Sequence, residues 1–344
     1  MAIPFFCESF QAANLTEFLQ RYVYANAPDL SLVTSGGRGG GRHLSRIFSP
    51  GYVGFPVSAG EASVLVGVRL RIPTGFTSVT RGILSIYNNP NSVNHLTLGL
   101  TADNVLQLRR GTWSGGTVLA TGTTVFPFDT FFSIQLKATI NATTGSYELR
   151  INGSATAEFS GTGANTQSGA SSDITAIYLG SPSNDFNREI HYNDWFFTDG
   201  TASFPGDVYV DYRGVNGVGN YQQFTPSTGT DHDALLDEIP PNTTDYVSSS
   251  TTGHKETNTI QSLSGSSLTI IAVQSVNYAL KSDAGSGLAR NLIRSGTTDA
   301  NGSTYSLSES ARYYVAPHVV DPSTGVAWTS SGVNAMEVGI ENVT

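Results

Sequence analysis

The chain has 344 residues, a formal net charge of -9, one cysteine and 13% charged residues, against about 25% in an average soluble domain. These values exclude charge-driven disorder and an intrachain disulfide, and the acidic balance argues against a face basic enough for general binding to nucleic acid or an anionic membrane. With 37 glycines and roughly a quarter of the residues Ser or Thr, the surface is solvated by hydroxyls and backbone, which suits short strands and turns.

An all-β chain is expected, and at about 150 residues per domain its length suggests two domains, each able to bury a core. The opening MAIPFFCESF lacks the basic start and apolar run of a signal peptide, and no window holds the 18 apolar residues of a membrane span. The expected product is made and kept soluble. Cys7 reads as a core residue or an inert thiol. Asn-x-Ser/Thr triplets, as at Asn14, Asn141, Asn152 and Asn301, arise by chance in such a composition.

Leu15, Phe18, Leu19, Tyr22 and Val23 share a helical face after a possible Asn14 cap, which predicts one short helix. From Ser63 the period becomes two: Val64, Val66, Val68, Leu70 and Ile72 alternate with Gly67, Arg69 and Arg71, the pattern of a half-buried strand. Similar strands are predicted over residues 82–87, 95–100, 105–109, 132–140, 147–151, 155–159 and 174–179, a spacing that suits a sandwich. Asp103-Asn104 reads as one turn, and Asn152-Gly153 as a type I′ hairpin, because Asn-Gly tolerates two positive φ angles. Residues 160–173 read as an exposed polar loop. Residues 201–256, with prolines, Asp231, Asp233, Asp237 and Glu238, read as an ordered connector. Strands over 268–280, 288–293, 312–320 and 335–343, with an earlier one at 208–212, predict a C-terminal β domain over 257–344.

The order GGRGGGRHL ending at Leu44, VGVRLRI, FFSIQLKATINATTGSYELRINGSATAEF, ITAIYLGS and EIHYNDWFFTDG resembles a laminin-G or concanavalin A-like jelly roll over residues 1–200. The stretch from Phe204 to Thr257, with Gly206-Asp207-Val208, Thr225-Pro226-Ser227, Asp237-Glu238-Ile239-Pro240-Pro241 and Asp245-Tyr246-Val247-Ser248, resembles the segment that follows such jelly rolls in structural proteins of tailed bacteriophages. The resemblance implies a virion component, such as a head decoration, collar or tail protein, with other virion proteins and copies of itself as partners. It supplies no catalytic residues. The closing strand carries Asn193-Asp194 where that family usually has paired acids.

Glycosidases on concanavalin A-like folds need two carboxylates flanking the scissile bond, and no strand here offers that spacing. Asp231-His232-Asp233 reads as a polar turn in preference to a metal site, and no Gly-x-Ser-x-Gly elbow precedes a helix. No enzyme activity, cofactor or metal is therefore expected. Two surfaces remain as candidates. His191 and Trp195, expected on one face of a strand with Asp194 opposite, could join Trp113 as a platform for sugar rings, giving a carbohydrate-binding receptor or adhesion module as the alternative function. Arg38, Arg42, His43 and Arg46 could meet acids of a neighbouring subunit.

Overall fold

The computed structural model describes residues 6–10, 24–26, 30–33, 35, 37, 43–46, 52–74, 81–180, 189–238, 241, 243–263, 265 and 267–344. The helix expected after Asn14 lies outside them, as do Arg38 and Arg42. The chain divides into two units, Met1–Val210 and Asp211–Thr344, and is almost entirely strand.

The first unit is a jelly-roll sandwich of two antiparallel sheets. Numbering strands in chain order, one sheet runs β13 (Phe159–Ala164), β12 (Gly145–Ile151), β11 (Phe132–Thr139), β6 (Ser63–Arg71), β15 (Ile190–Asp199), β4 (His43–Arg46), β3 (Leu30–Val33), with β1 (Phe6–Glu8) also on β15. The other runs β10 (Thr117–Val125), β9 (Val105–Arg110), β8 (Val93–Leu100), β7 (Arg81–Asn88), β14 (Ile174–Leu179), β5 (Tyr52–Glu61), β2 (Tyr24–Asn26). The alternation of β6 puts Val64, Val66, Val68, Leu70 and Ile72 into the core against Leu84, Ile86, Leu96, Leu98, Leu106, Leu108, Ile177 and Leu179 of the facing sheet. Each such side chain stabilises by about 1.5–3 kcal/mol when fully buried.

Both predicted turns form. Asn104 takes φ 57 and donates its N–H to the Thr101 carbonyl at 3.0 Å. Asn152 and Gly153 take φ 50 and 69, and Ser154 N–H closes the turn on Ile151 O at 3.0 Å. The returning strand, however, is Phe159–Ala164 rather than residues 155–159, because the chain first swings out to place Glu158. That carboxylate accepts hydrogen bonds from Thr123 N at the edge strand β10, from Thr124 N (2.8 Å) and from Thr124 Oγ1 (2.7 Å). Residues 160–164 of the expected loop are thus strand.

In the second unit, β16 (Val215–Gln222), β19 (Lys255–Ile260), β25 (Glu337–Asn342), β21 (Leu288–Ser295) and β22 (Thr298–Asn301) form a sheet, with β23 (Tyr305–Ser306) also on β21. A ribbon of β20 (Val273–Ala279) and β24 (Arg312–His318) pairs separately. The apolar core is small, comprising Ile260, Ile293, Trp328, Val333 and Met336, and buried amides supplement it: Asn291 Nδ2 donates to the carbonyls of Ser275 and Tyr314, each at 3.0 Å. A short helix α1 (Ser330–Ala335) begins at Thr329, whose hydroxyl accepts from Gly332 N at 3.0 Å.

The unit boundary falls at Val210/Asp211, ten residues beyond the expected end of the jelly roll. Residues 201–256 are divided between the units rather than forming a connector, and 208–212 are not strand. The reason is hydrogen bonding: residues 202–210 bond back to the first sheet, whereas β16 already pairs with β19.

Candidate functional site

Outward-facing residues of β6, β11 and β15 form the exterior of the first sheet, and the chain itself covers it. Lys137 Nζ donates to Ala202 O at 3.0 Å, Gln135 Nε2 donates to Gly206 O, and Ser133 Oγ donates to Asp207 Oδ1 at 2.8 Å. Arg69, 9% exposed, lies between two carboxylates. Its Nη2 meets Asp207 and its Nε lies 3.4 Å from Asp194 Oδ2, while the Tyr209 ring sits 4.8 Å from its guanidinium carbon. Asp194 Oδ1 in turn accepts from Val210 N at 3.0 Å. Residues 202–210 are therefore a strap whose aromatic ring, carboxylate and carbonyls lie against this face.

The expected sugar platform does not assemble. Asn193 pairs with Arg69 and Phe196 with Gly67, so Asp194 and Trp195 together oppose Val68 alone. This is a β-bulge with Asp194 at φ 47, and it reverses the side-chain alternation of β15. Ile190 and Tyr192 before the bulge, and Trp195 and Phe197 after it, all enter the core. Trp195 is 0% exposed and packs edge-on against Phe6 at 5.2 Å, so no ring face is available for a pyranose. His191 points to the opposite face, contacts Glu189 Oε1 at 2.6 Å and lies against the His43 ring at 4.1 Å, tilted by 33°. Trp113 lies in the β9–β10 connection of the other sheet, 3% exposed, under the Arg109 guanidinium at 4.6 Å.

The expected basic contact also changes. The imidazole of His43 is buried against His191 and cannot reach a neighbouring molecule's acid. Arg46 is described only through its backbone, which pairs with Leu30 and Ile190.

In the second unit, His232 turns inward from its acidic neighbours, and its Nδ1 lies 2.9 Å from Glu256 Oε1. Burial raises the Glu256 carboxyl above its ordinary range. Asp233 is raised by a hydrogen bond shared with Asp231. Among the described residues no group of three or more His, Cys, Asp and Glu side chains is arranged to hold a metal ion, and no helix is long and apolar enough to cross a membrane. Sequence reading missed a second network, in which Asp299 takes Lys255 Nζ at 2.7 Å, Arg294 Nη1 at 2.6 Å and Tyr221 OH at 3.0 Å. Burial opposes its ionisation, yet these three donors hold it below the usual carboxylate range. Arg294 and Asp299 face each other across one hairpin, but Tyr221 and Lys255 come from distant strands, so no local spacing signals the set.

The exterior of the second sheet carries a tyrosine cluster and a groove at its rim. Tyr178 stands between Tyr52 and Tyr87, edge-on to both at 5.1 and 5.2 Å, and its hydroxyl donates to Asn89 Oδ1 at 2.7 Å. Beside Tyr87, the start of β8, the β9–β10 connection and Ser168 enclose a groove of about 430 Å³.

No protein-family model matches the sequence, and no curated protein does either. Solved structures similar to it include the cellulose-induced protein Cip1, at 18% identity over 60% of this chain and 100% of that one, with a TM-score of 0.41. Trypanosoma rangeli sialidase is 15% identical over 50% of this chain and 26% of its own, with a TM-score of 0.34. The native heptameric SAP-like pentraxin of Limulus polyphemus is 12% identical over 42% and 68%, with a TM-score of 0.32. The chain thus spans about a quarter of the sialidase. At these scores no neighbour's activity transfers, and the fold rests on the strand pairing above.

Proposed function

We propose that the chain is a non-catalytic structural protein of a tailed-bacteriophage particle, serving in head decoration, a collar or a tail through contacts with other virion proteins and with its own copies. The observation that carries this reading is the build of the segment from Phe204 to Thr257, whose sequence resembles virion proteins. Its first residues strap the jelly roll through Asp207, Tyr209 and Val210, and its remainder supplies β16 and the buried His232–Glu256 pair. The segment is thus bonded into both units rather than left as a free spacer. Large apolar side chains left outward, including Ile271, Val319, Val320 and Val326 of the second unit, give neighbours something to cover.

The carbohydrate-binding alternative loses the residues first assigned to it, since Trp113, His191 and Trp195 are buried and separate. The structural reading is tested by quantitative mass spectrometry of gradient-purified particles. The expected result is a fixed copy number per particle that survives high-salt washing. Absence from particles, or reducing-sugar release by the purified chain that one acid-to-amide substitution abolishes, overturns it.

A further inference from the structure

Beyond that role, we propose that the groove beside Tyr87 is a binding site for an acidic, carboxylate-bearing saccharide. Its lining includes Ser92, Asn94, Arg110, Thr112, Thr117 and Ser168, and no acidic residue. Hydroxyls that can both donate and accept suit a polyol, and the near absence of large apolar lining argues against a lipid or aromatic ligand.

Two observations sharpen this. Arg110 has no carboxylate partner among the described residues; its Nη2 reaches only the Thr117 hydroxyl, at 3.4 Å. Most other arginines described are neutralised, as Arg69, Arg71, Arg150, Arg213, Arg290 and Arg294 are. A guanidinium left unpaired on a groove wall of a chain with net charge -9 is placed to receive a carboxylate as a forked pair.

Asn94, 6% exposed, uses its Nδ2 to donate to Thr97 Oγ1 at 2.8 Å, but its Oδ1 has no donor. That oxygen is closed off from solvent, so Asn94 acts as a fixed part of the wall and not as a contact for the sugar. The walls are also fixed in place. Ser168 N–H donates to His95 Nδ1 at 3.2 Å, His95 Nε2 lies 3.1 Å from Asp173 O, and Gly111 N–H donates to His95 O at 2.9 Å. His95, held neutral by burial, thereby ties the 165–173 segment to β8 and to the end of β9. Tyr87, the register partner of Asn94, extends the surface with a half-buried ring on which a second sugar can stack.

The test is a panel of oligosaccharides on the full chain: uronate- and sialate-terminated members, their methyl esters, neutral counterparts, and inorganic phosphate alone. Binding is read by titration calorimetry, with Arg110→Gln compared with the unaltered chain. Thermal melting checks that the variant folds. The expected result is binding of an acidic member that weakens at least tenfold on methyl esterification and in Arg110→Gln. No binding by any saccharide, equal binding of neutral members, binding of phosphate alone, or acidic-glycan binding untouched by Arg110→Gln overturns the proposal.

Discussion

His43 and His318 are kept neutral by the fold, and each ties stability to pH. Burial, then the neighbouring His191 ring and Arg71, pushes His43 down to about 4 against the pull of Glu189. Burial alone does the same for His318. Because the folded value lies below the unfolded one, near 6.5, the unfolded chain takes up the proton first. Stability is then full above about pH 6.5 and falls as pH drops towards 4, by up to about 3 kcal/mol per histidine. Urea denaturation at pH 7.5 and pH 4.5 should show the loss, and His43→Gln should flatten the pH dependence of the first unit. An unchanged pH dependence contradicts the assignment. Gly67 supplies a second residue-scale prediction. A Cβ there would lie 2.1 Å from the Phe196 ring, so Gly67→Ala should cost about 1–3 kcal/mol, read as a lowered denaturation midpoint. These features divide by what a sequence can carry. The inward valines of β6 follow from alternation, but the position of Trp195 depends on one extra residue in β15, and no pattern in HYNDWFF marks the bulge.

At the scale of elements, the strap and the edge strand are the parts most open to test. Arg69 compensates the buried Asp194, and removing one partner of a buried pair costs about 3–5 kcal/mol. Arg69→Met should therefore destabilise the first unit by that order, and should also make residues 202–210 an early target of thermolysin, whereas the unaltered chain should resist cleavage there. Early cleavage of the unaltered chain there contradicts the strap. The edge strand β10, TVLATGTTV, carries no charge or proline, and such an edge invites pairing with another chain. Tyr147 OH donates to Leu119 O at 3.0 Å, and Glu158 occupies the amides of Thr123 and Thr124. Glu158→Ala should leave the fold intact but produce concentration-dependent association by light scattering. Monomeric behaviour at high concentration contradicts this role. The Asn152-Gly153 turn was readable because its backbone demand is local. The longer excursion to Phe159 was not, because its cause, Glu158, acts on a strand more than thirty residues away.

For the whole molecule, the sequence made the two β units legible through the change in strand patterning near residue 200, but the boundary itself depends on which sheet each residue bonds to. Asp207 and Tyr209 read locally as linker and act as part of the first unit, whereas Tyr221 and Glu256 serve the second. The candidate site was less legible still. The rings a stacking platform needs, Trp113 and Trp195, are buried, while the groove is lined by Ser, Thr, Asn and one arginine that no motif distinguishes. The structural role depends on the chain being an ordered, repeated component of a particle. A cryo-microscopy map of the purified virion tests this most directly. Density for the two-sheet jelly roll, followed by the smaller β unit, is expected at symmetry-related positions in head, collar or tail. A particle map complete without this chain, together with its recovery only from the unassembled fraction of the lysate, would contradict it.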